Sequence, residues 1–167
     1  IQQAGDQDPL IQKGVEAYNQ YHLKLLQERL DAGLISQDLF DTLVNTHPNY
    51  MPHNVVADID DQVASSFNLS QSLNVAQHDI KRAVGSLKDI EDPFVATVQR
   101  TPVATQLIEK NKTLVGLVKA QEDYGIVDGM YKLAEGASAP RGQETINMFR
   151  NGVKETWAVP KDVAVAV

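Results

Sequence analysis

The chain has 167 residues, of which 22 are acidic and 15 basic, and its formal net charge is −7. This length is sufficient for one domain with a hydrophobic core, and the acidic balance argues against direct binding of nucleic acid, whose phosphates need a basic surface. Because there is no cysteine, disulfides and thiolate metal sites are excluded, and no apolar run reaches the roughly 18 residues of a membrane span.

The first predicted elements are two helices with a tight connection. Asp8 and Pro9 form the cap-plus-proline pair typical of a helix start, and Gly33 suits the left-handed position that ends a helix. Between them, residues 10–30 carry apolar or partly apolar side chains at helical spacing. Ser36 is expected to cap a short second helix over residues 37–45. The pair predicts an antiparallel helical hairpin.

The next part of the chain has weaker patterns. Residues 47–53 contain two prolines, which favour extended backbone before them, and predict a loop. Residues 58–74 predict a loop followed by one irregular short helix, and residues 78–84 predict a further helical segment.

Residues 89–122 contain the longest helical pattern, and the chain is organised around this central helix. Asp92 and Pro93 form a second cap-plus-proline start, to which Asp89 and Glu91 add negative charge. Pro102 predicts a kink or break within residues 98–101, with two separate helices as the alternative. Asn111 is interpreted as a locally satisfied boundary residue, or else as a contact with a partner helix. The predicted apolar stripe is Phe94, Val98, Thr101, Thr105, Ile108 and Val115, widened by Leu107, Leu114 and Val118.

The C-terminal part changes period. After turns at residues 123–125 and 128–129, residues 130–133 predict a short helical turn. Residues 136–143 predict a linker rich in glycine and small side chains. Asn151 and Gly152 are the strongest short signal of a β-hairpin, here over residues 144–160. A two-residue loop pairs Arg150 with Val153, Met148 with Glu155 and Ile146 with Trp157.

This hairpin register makes one face apolar. Ile146, Met148 and Trp157 share that face, and Arg150 can reach Glu155 diagonally. An isolated hairpin is marginally stable, so the face must pack either on the helices or on a partner. These three residues are therefore the candidate interaction surface. A packing role for Trp157 and Met148 is favoured over a ligand cage.

The predicted fold is thus mainly α: a helical hairpin plus a long kinked central helix, with a C-terminal β-hairpin. The predicted organisation is a helical domain over residues 1–135, a linker over 136–143, the hairpin over 144–160 and the start of a further, truncated element over 161–167. The chain begins without methionine and stops within an apolar pattern, so we expect a piece of a longer polypeptide.

No catalytic, cofactor or metal site is predicted. His47 and His53 lie near Asp58, Asp60 and Asp61, but the histidines are six residues apart across two prolines, a spacing that indicates an ordinary loop. The same aspartates lack the glycine and distal glutamate of a calcium loop. The acidic residues before Pro93 are explained by helix capping. The serines lack a nucleophile elbow, and the glycines are too widely spaced for a phosphate loop.

Three segments resemble a known family. They are DAGLISQDLFDTLVNTHPNYMPH (31–53), KRAVGSLKDIEDPFVATVQRTPVATQLIEKNKTLVGLV (81–118) and INMFRNGVKETWAVPKDVA (146–164). Together they resemble a helical associated domain of the very large polyvalent proteins encoded by phages and conjugative elements. The shared features are caps, turns and packing positions, and none of them is catalytic.

The resemblance implies a module within a long polypeptide that also carries enzymatic domains and is packaged in or ejected from the virion. We therefore expect a non-enzymatic scaffold or interaction module without cofactors, located in the virion or the host cytoplasm. Its expected partners are other domains of the same polyprotein, virion proteins or further copies of itself. The alternative is an accessory domain of an enzyme whose active site lies outside this segment, or a virion structural protein that oligomerises through its helices.

Overall fold

A computed structural model describes residues 8–46, 53–67 and 93–167. Within these ranges the chain is mainly α with a C-terminal β-hairpin, which confirms the predicted fold class. Residues 47–52 of the loop predicted at 47–53, residues 68–74 of the segment predicted at 58–74, the predicted helix at 78–84 and the capping role of residues 89–92 lie outside the described residues. The elements are α1 Pro9–Asp31, α2 Gln37–Thr46, α3 His53–Ser66, α4 Pro93–Tyr124, β1 Tyr131–Lys132, β2 Gln143–Arg150, β3 Val153–Pro160 and α5 Lys161–Ala166.

Helix α1 begins and ends where its local signals predict. The Asp8 carboxylate accepts a hydrogen bond from the Leu10 amide at 2.8 Å, and Pro9 occupies the first helical turn. At the other end Gly33 has φ +79°. Its amide donates to the Leu30 carbonyl and the Leu34 amide to the Arg29 carbonyl, which is the bonding pattern of a Schellman cap.

Helix α2 follows at once and packs on α1. The Ser36 hydroxyl accepts from the Leu39 amide at 3.2 Å, which confirms the predicted cap. Leu26 of α1, Ile35 of the connection and Leu43 of α2 form a small buried cluster. The predicted pair of helices with a tight connection is therefore present.

Helix α3 differs from the prediction. A loop was expected from residue 58, whereas a helix runs from His53 to Ser66. Its described buried side chains, Asp60, Val63, Ala64 and Phe67, follow a helical period. Asp60 interrupts the apolar pattern in the sequence. Its partner, Arg29, lies 31 positions away in α1, so the local pattern could not show that this carboxylate is paired.

Helix α4 is continuous from Pro93 to Tyr124, so the alternative of two helices is wrong. Pro102 lies inside it, and the Val98 carbonyl consequently has no amide donor four residues later. The kink itself stays a prediction. The predicted apolar stripe is partly wrong, because Val98 and Thr105 are exposed. The side chains of residues 93–96 and 99, and so of Phe94 in the predicted stripe, are outside the description; among the others α4 buries Ala104, Leu107, Ile108, Asn111, Leu114 and Val118.

The sheet is antiparallel, with strand order β1-β3-β2. The predicted register is confirmed, since Arg150 pairs with Val153, Met148 with Glu155 and Ile146 with Trp157. Both turn residues have positive φ, 52° at Asn151 and 74° at Gly152. The helical turn predicted at 130–133 is wrong. Residues 131–132 form β1 against β3 instead, because that edge of β3 offers backbone partners.

The hairpin and the helices share one hydrophobic core. Residues 133–142 connect β1 to β2, and the hairpin packs on α4 in the same core as the helices. α5 then returns against β2 and β3. The buried members of the core are Ala32, Leu34, Val63, Ala64, Phe67, Leu107, Ile108, Leu114, Val118, Met130, Ile146, Met148, Trp157 and Val159.

Alanine substitution at two glycines is expected to change the free energy of unfolding in opposite directions. At Gly152 the positive φ would strain any side chain, and a Cβ would lie 2.8 Å from the Ser36 amide nitrogen. We expect Gly152→Ala to lower the free energy of unfolding by about 2 kcal/mol or more. Gly116 is exposed in α4 with open space around it, so Gly116→Ala should raise it by about 1 kcal/mol. Urea unfolding of both variants measures the difference, and equal effects would contradict this account of the turn.

Candidate functional site

The predicted interaction surface lies inside the molecule. Ile146, Met148 and Trp157 are all buried, in one cluster with Leu107 and Leu114 of α4. The opposite face of the hairpin is also covered, because Phe149 packs edge-on against Phe67 at the end of α3, with ring centroids 5.9 Å apart. These three side chains therefore belong to the core, and a surface for partners must be sought elsewhere.

Asn111 is the most deeply buried polar side chain described, with 0% exposure. Its amide nitrogen donates to the carbonyls of Ala32 at 2.7 Å and Phe149 at 2.8 Å. Its amide oxygen accepts from the Phe149 amide at 2.8 Å. The interpretation of Asn111 as a locally satisfied residue is wrong, because these hydrogen bonds leave its own helix, and one of them reaches Ala32, the C-cap residue of α1. Asn111 joins α4 to the α1–α2 connection and to β2.

The Asn111 amide closes part of a sheet edge. In a two-residue hairpin the residues that flank the turn, Arg150 and Val153, are hydrogen-bonded to each other. The N–H and C=O of the next residue, Phe149, consequently point away from β3. Asn111 satisfies both groups, as a neighbouring strand would, and so blocks strand addition at this position.

Arg29 and Asp60 form a buried ion pair between α1 and α3. The guanidinium donates to both carboxylate oxygens, at 2.9 and 2.6 Å, and their side chains are 4% and 6% exposed. Arg29 also donates to the Leu25 carbonyl at 3.0 Å. Asp60, which was considered with the histidines as a metal ligand, is thus held by an arginine. In the described parts of the chain no group of three or more His, Cys, Asp or Glu side chains could hold a metal ion.

A chain of ion pairs lies at the junction of the sheet and α4. Glu155 contacts Lys132 at 3.1 Å and Arg150 at 3.9 Å, and Arg150 also contacts Glu122 of α4 at 3.1 Å. Burial raises the pKa of the Glu155 carboxyl, but hydrogen bonds from Lys132 and Trp157 and the charge of Arg150 outweigh it, so the pKa is lowered. This stabilisation is therefore present at neutral pH and is lost as the pH falls through the folded-state pKa. Glu155 is ionised at neutral pH and acts as a structural anion.

An open groove lies between α1 and α4. It has a volume of about 580 Å³ and is lined by Gly14, Ala17, Tyr18, Tyr21, Thr97, Val98, Thr101 and Pro102. Hydroxyl contacts join its two walls: Tyr18 to Thr97 at 3.1 Å and Tyr21 to Thr101 at 2.8 Å. These hydroxyls bond to one another across the groove, and the surface that the groove presents is mostly apolar.

The two helices that form the groove run parallel. The contacts Tyr18–Thr97, Tyr21–Thr101 and Asn111–Ala32 join residues 79, 80 and 79 positions apart. A nearly constant offset means that both helices advance together in the same direction. The Asn111 contact thus fixes one end of the pair, and the groove opens at the other.

The N-terminal half of α1 exposes apolar side chains beside this groove. Leu10 is 77% exposed, and Ile11, Val15 and Tyr21 are also exposed. Across the groove Val98 of α4 is 70% exposed. The C-terminal half of α1 buries His22, Leu25, Leu26 and Arg29 within this chain. The apolar surface of α1 is thus longer than the part that the described chain covers, a feature typical of an interaction site.

The sequence did not identify this groove. Its apolar side chains on α1 were assigned to the helical hairpin with α2, and the alternative of oligomerisation through the helices named no particular surface. The signal that could have found it was the length of α1, because a short α2 of ten residues cannot cover a helix of 23.

The described helices include none that is both long and apolar enough to cross a membrane. Comparison of the chain with protein-family models, with curated proteins and with solved structures found no match. Function is accordingly inferred from the residues of this chain.

Proposed function

We propose that this chain is a non-enzymatic helical scaffold or interaction module of a larger phage or mobile-element polyprotein. The observation that carries the interaction role is the open apolar groove between α1 and α4, with the exposed side chains of Leu10 and Val98 beside it. The origin from a mobile element is supported by the resemblance of residues 31–53, 81–118 and 146–164 to associated domains of polyvalent proteins.

Three buried or partly buried polar groups of the described chain serve structural roles, among them Asp60, which was considered as a metal ligand. Asp60 is bound to Arg29, Glu155 to Lys132 and Arg150, and Asn111 to two segments of backbone. A scaffold needs such rigid contacts, because its elements must hold their positions when a partner binds. These contacts support a scaffold role.

An accessory domain of an enzyme is the second candidate that the sequence suggested. It depended on the hairpin face of Ile146, Met148 and Trp157 docking on an active domain. That face packs in the core of this chain and is not exposed to another domain. The accessory role therefore loses the observation that favoured it.

Mass spectrometry of purified particles from the source element tests the proposal. We expect peptides of this chain inside particles, joined to flanking sequence of a much longer protein. Peptides that occur in infected or donor cells but never in particles would overturn a virion role. A hydrolytic or metal-dependent activity in purified residues 1–167 would overturn the non-enzymatic assignment.

A further inference from the structure

The hairpin turn contains the dipeptide of this sequence that is most open to spontaneous deamidation. Asn151 is the only asparagine that glycine follows among the 167 residues. The Gly152 nitrogen can attack the side-chain carbonyl of Asn151, and glycine leaves the approach open because it has no Cβ. Asparagine is one of the thermolabile residues of proteins. Asn151 and Gly152 are both exposed, so solvent reaches the reacting groups.

Deamidation of Asn151 needs no reactant other than water. The Gly152 nitrogen loses its proton to hydroxide and forms a bond to Cγ of Asn151. The bond from Cγ to Nδ2 breaks, and the departing group takes a proton from water and leaves as ammonia. Water then opens the resulting succinimide ring. Cleavage at Cγ gives aspartate with the normal backbone, whereas cleavage at the backbone carbonyl of residue 151 gives isoaspartate, in which the chain runs through Cβ and Cγ.

The folded turn holds the attacking nitrogen away from Cγ in two ways. The Gly152 amide donates to the Gly33 carbonyl at 3.0 Å, so its proton does not exchange with solvent while this bond is in place. Both turn residues have positive φ, as in a type I′ turn. That turn gives Asn151 a ψ of about +30°, which directs the Gly152 nitrogen away from the Asn151 Cβ. Attack on Cγ therefore requires the hydrogen bond to break and the backbone to leave the turn.

Contacts with the α1–α2 connection keep the turn in this conformation. A Cβ at Gly33 would lie 3.1 Å from the carbonyl oxygen of Phe149, so the two backbones are in close contact. Asn111 joins the same two segments, because it bonds to Ala32 on one side and to Phe149 on the other. We call this set of residues the turn contact: Gly33, Asn111, Phe149 and Gly152.

We propose that Asn151 is a deamidation site that the turn contact keeps closed. It reacts only in molecules whose turn has separated from the α1–α2 connection. Isoaspartate adds one atom to the backbone of a two-residue turn, so the pairing of Arg150 with Val153 and the bond from Gly152 to Gly33 cannot both form again. The modification thus makes a transient opening permanent. It does not depend on the proposed scaffold role.

Peptide mapping by mass spectrometry measures conversion at Asn151, since both carboxylate products differ from asparagine in mass. The full chain is incubated at mildly alkaline pH, either native or unfolded in guanidinium chloride. We expect the native chain to react at least about tenfold more slowly than the unfolded chain, because only its open fraction reacts. Equal rates in the two states would overturn the proposal.

Asn111→Ala is expected to raise the rate of conversion at Asn151 by roughly tenfold or more, because it removes the side chain that joins the two segments. The matched control is Asn45→Ala, which removes the same side chain at an exposed position of α2 and should leave the rate unchanged. Equal rates in these two variants would show that the turn contact does not protect Asn151.

Hydrogen exchange of the wild-type chain tests the same opening without a variant. Exchange of the Gly152 amide, followed by NMR, requires the bond to Gly33 to break, as conversion of Asn151 does. Urea below the unfolding transition should therefore raise both rates by the same factor. Exchange that accelerates while conversion stays constant would contradict a shared opening.

The modified chains test the consequence. Chromatography separates chains with isoaspartate from those with aspartate. Isoaspartate chains should exchange the Gly152 amide rapidly. Asn151→Asp has the normal backbone, and aspartate tolerates positive φ, so this variant should keep the slow exchange. Slow exchange in the isoaspartate chains would overturn the conclusion that the modification releases the turn.

Discussion

Replacing Asn111 with alanine is expected to lower the free energy of unfolding by about 3–5 kcal/mol. The substitution removes three hydrogen bonds and leaves the Ala32 carbonyl and both backbone groups of Phe149 without their partner. Because Asn111 is fully buried, water cannot replace the lost side chain without entering the core. The loss should therefore exceed that of any single solvated hydrogen bond.

The matched control is Asn45→Ala, which removes the same side chain at an exposed position of α2. Its effect should lie within about 0.5 kcal/mol of the wild type. Urea unfolding followed by Trp157 fluorescence measures both variants, since Trp157 is buried in the core that Asn111 helps to position. Similar midpoints for the two variants would show that Asn111 does not hold the hairpin on the helices.

Replacing Arg29 with methionine is expected to destabilise the fold by about 3–5 kcal/mol, because the Asp60 carboxylate would stay buried without its partner. The double variant Arg29→Met with Asp60→Leu should recover most of this loss. Two apolar side chains of similar volume avoid the cost of burying charges. On this expectation the ion pair aligns α1 with α3 and contributes little to the net free energy of unfolding.

A double-mutant cycle on urea unfolding measures this coupling, with the Lys24–Glu28 pair of the same helix as the control. Lys24 is 75% exposed and lies 3.9 Å from Glu28, so Lys24→Met should change stability by less than about 1 kcal/mol. If Arg29→Met were as mild as Lys24→Met, the carboxylate of Asp60 would have to gain solvent in the folded protein. If the double variant were the least stable of the set, the ion pair would be a net source of stability.

Local signals in the sequence predicted the elements whose chemistry is local. Asp8 capped its helix, Gly33 ended it, Ser36 began the next one, and Asn151-Gly152 set the hairpin register. Each of these depends on backbone geometry within a few residues. The register also fixed which hairpin side chains share a face, because a slip of one residue would move them all to the other side.

Predictions failed where a distant partner decides the outcome. Asp60 was predicted to lie in a loop, because an acidic side chain on a buried helical face is unfavourable unless a partner such as Arg29 is known. Residues 131–132 form a strand only because β3 offers them an edge. The buried stripe of α4 is centred on Asn111, a polar residue whose partners in the α1–α2 connection and β2 could not be seen from its own neighbours.

The candidate site follows the same division. The sequence by itself determined that this is an acidic, mainly helical chain with an amphipathic first helix and an apolar hairpin face, because caps, turns and periodicity are short-range properties. Only the tertiary structure decided which apolar surfaces are covered. It buried Ile146, Met148 and Trp157 and left Leu10 and Val98 exposed. Burial depends on which elements meet in space, and that is set by long-range contacts such as Asn111 to Ala32 and Phe149.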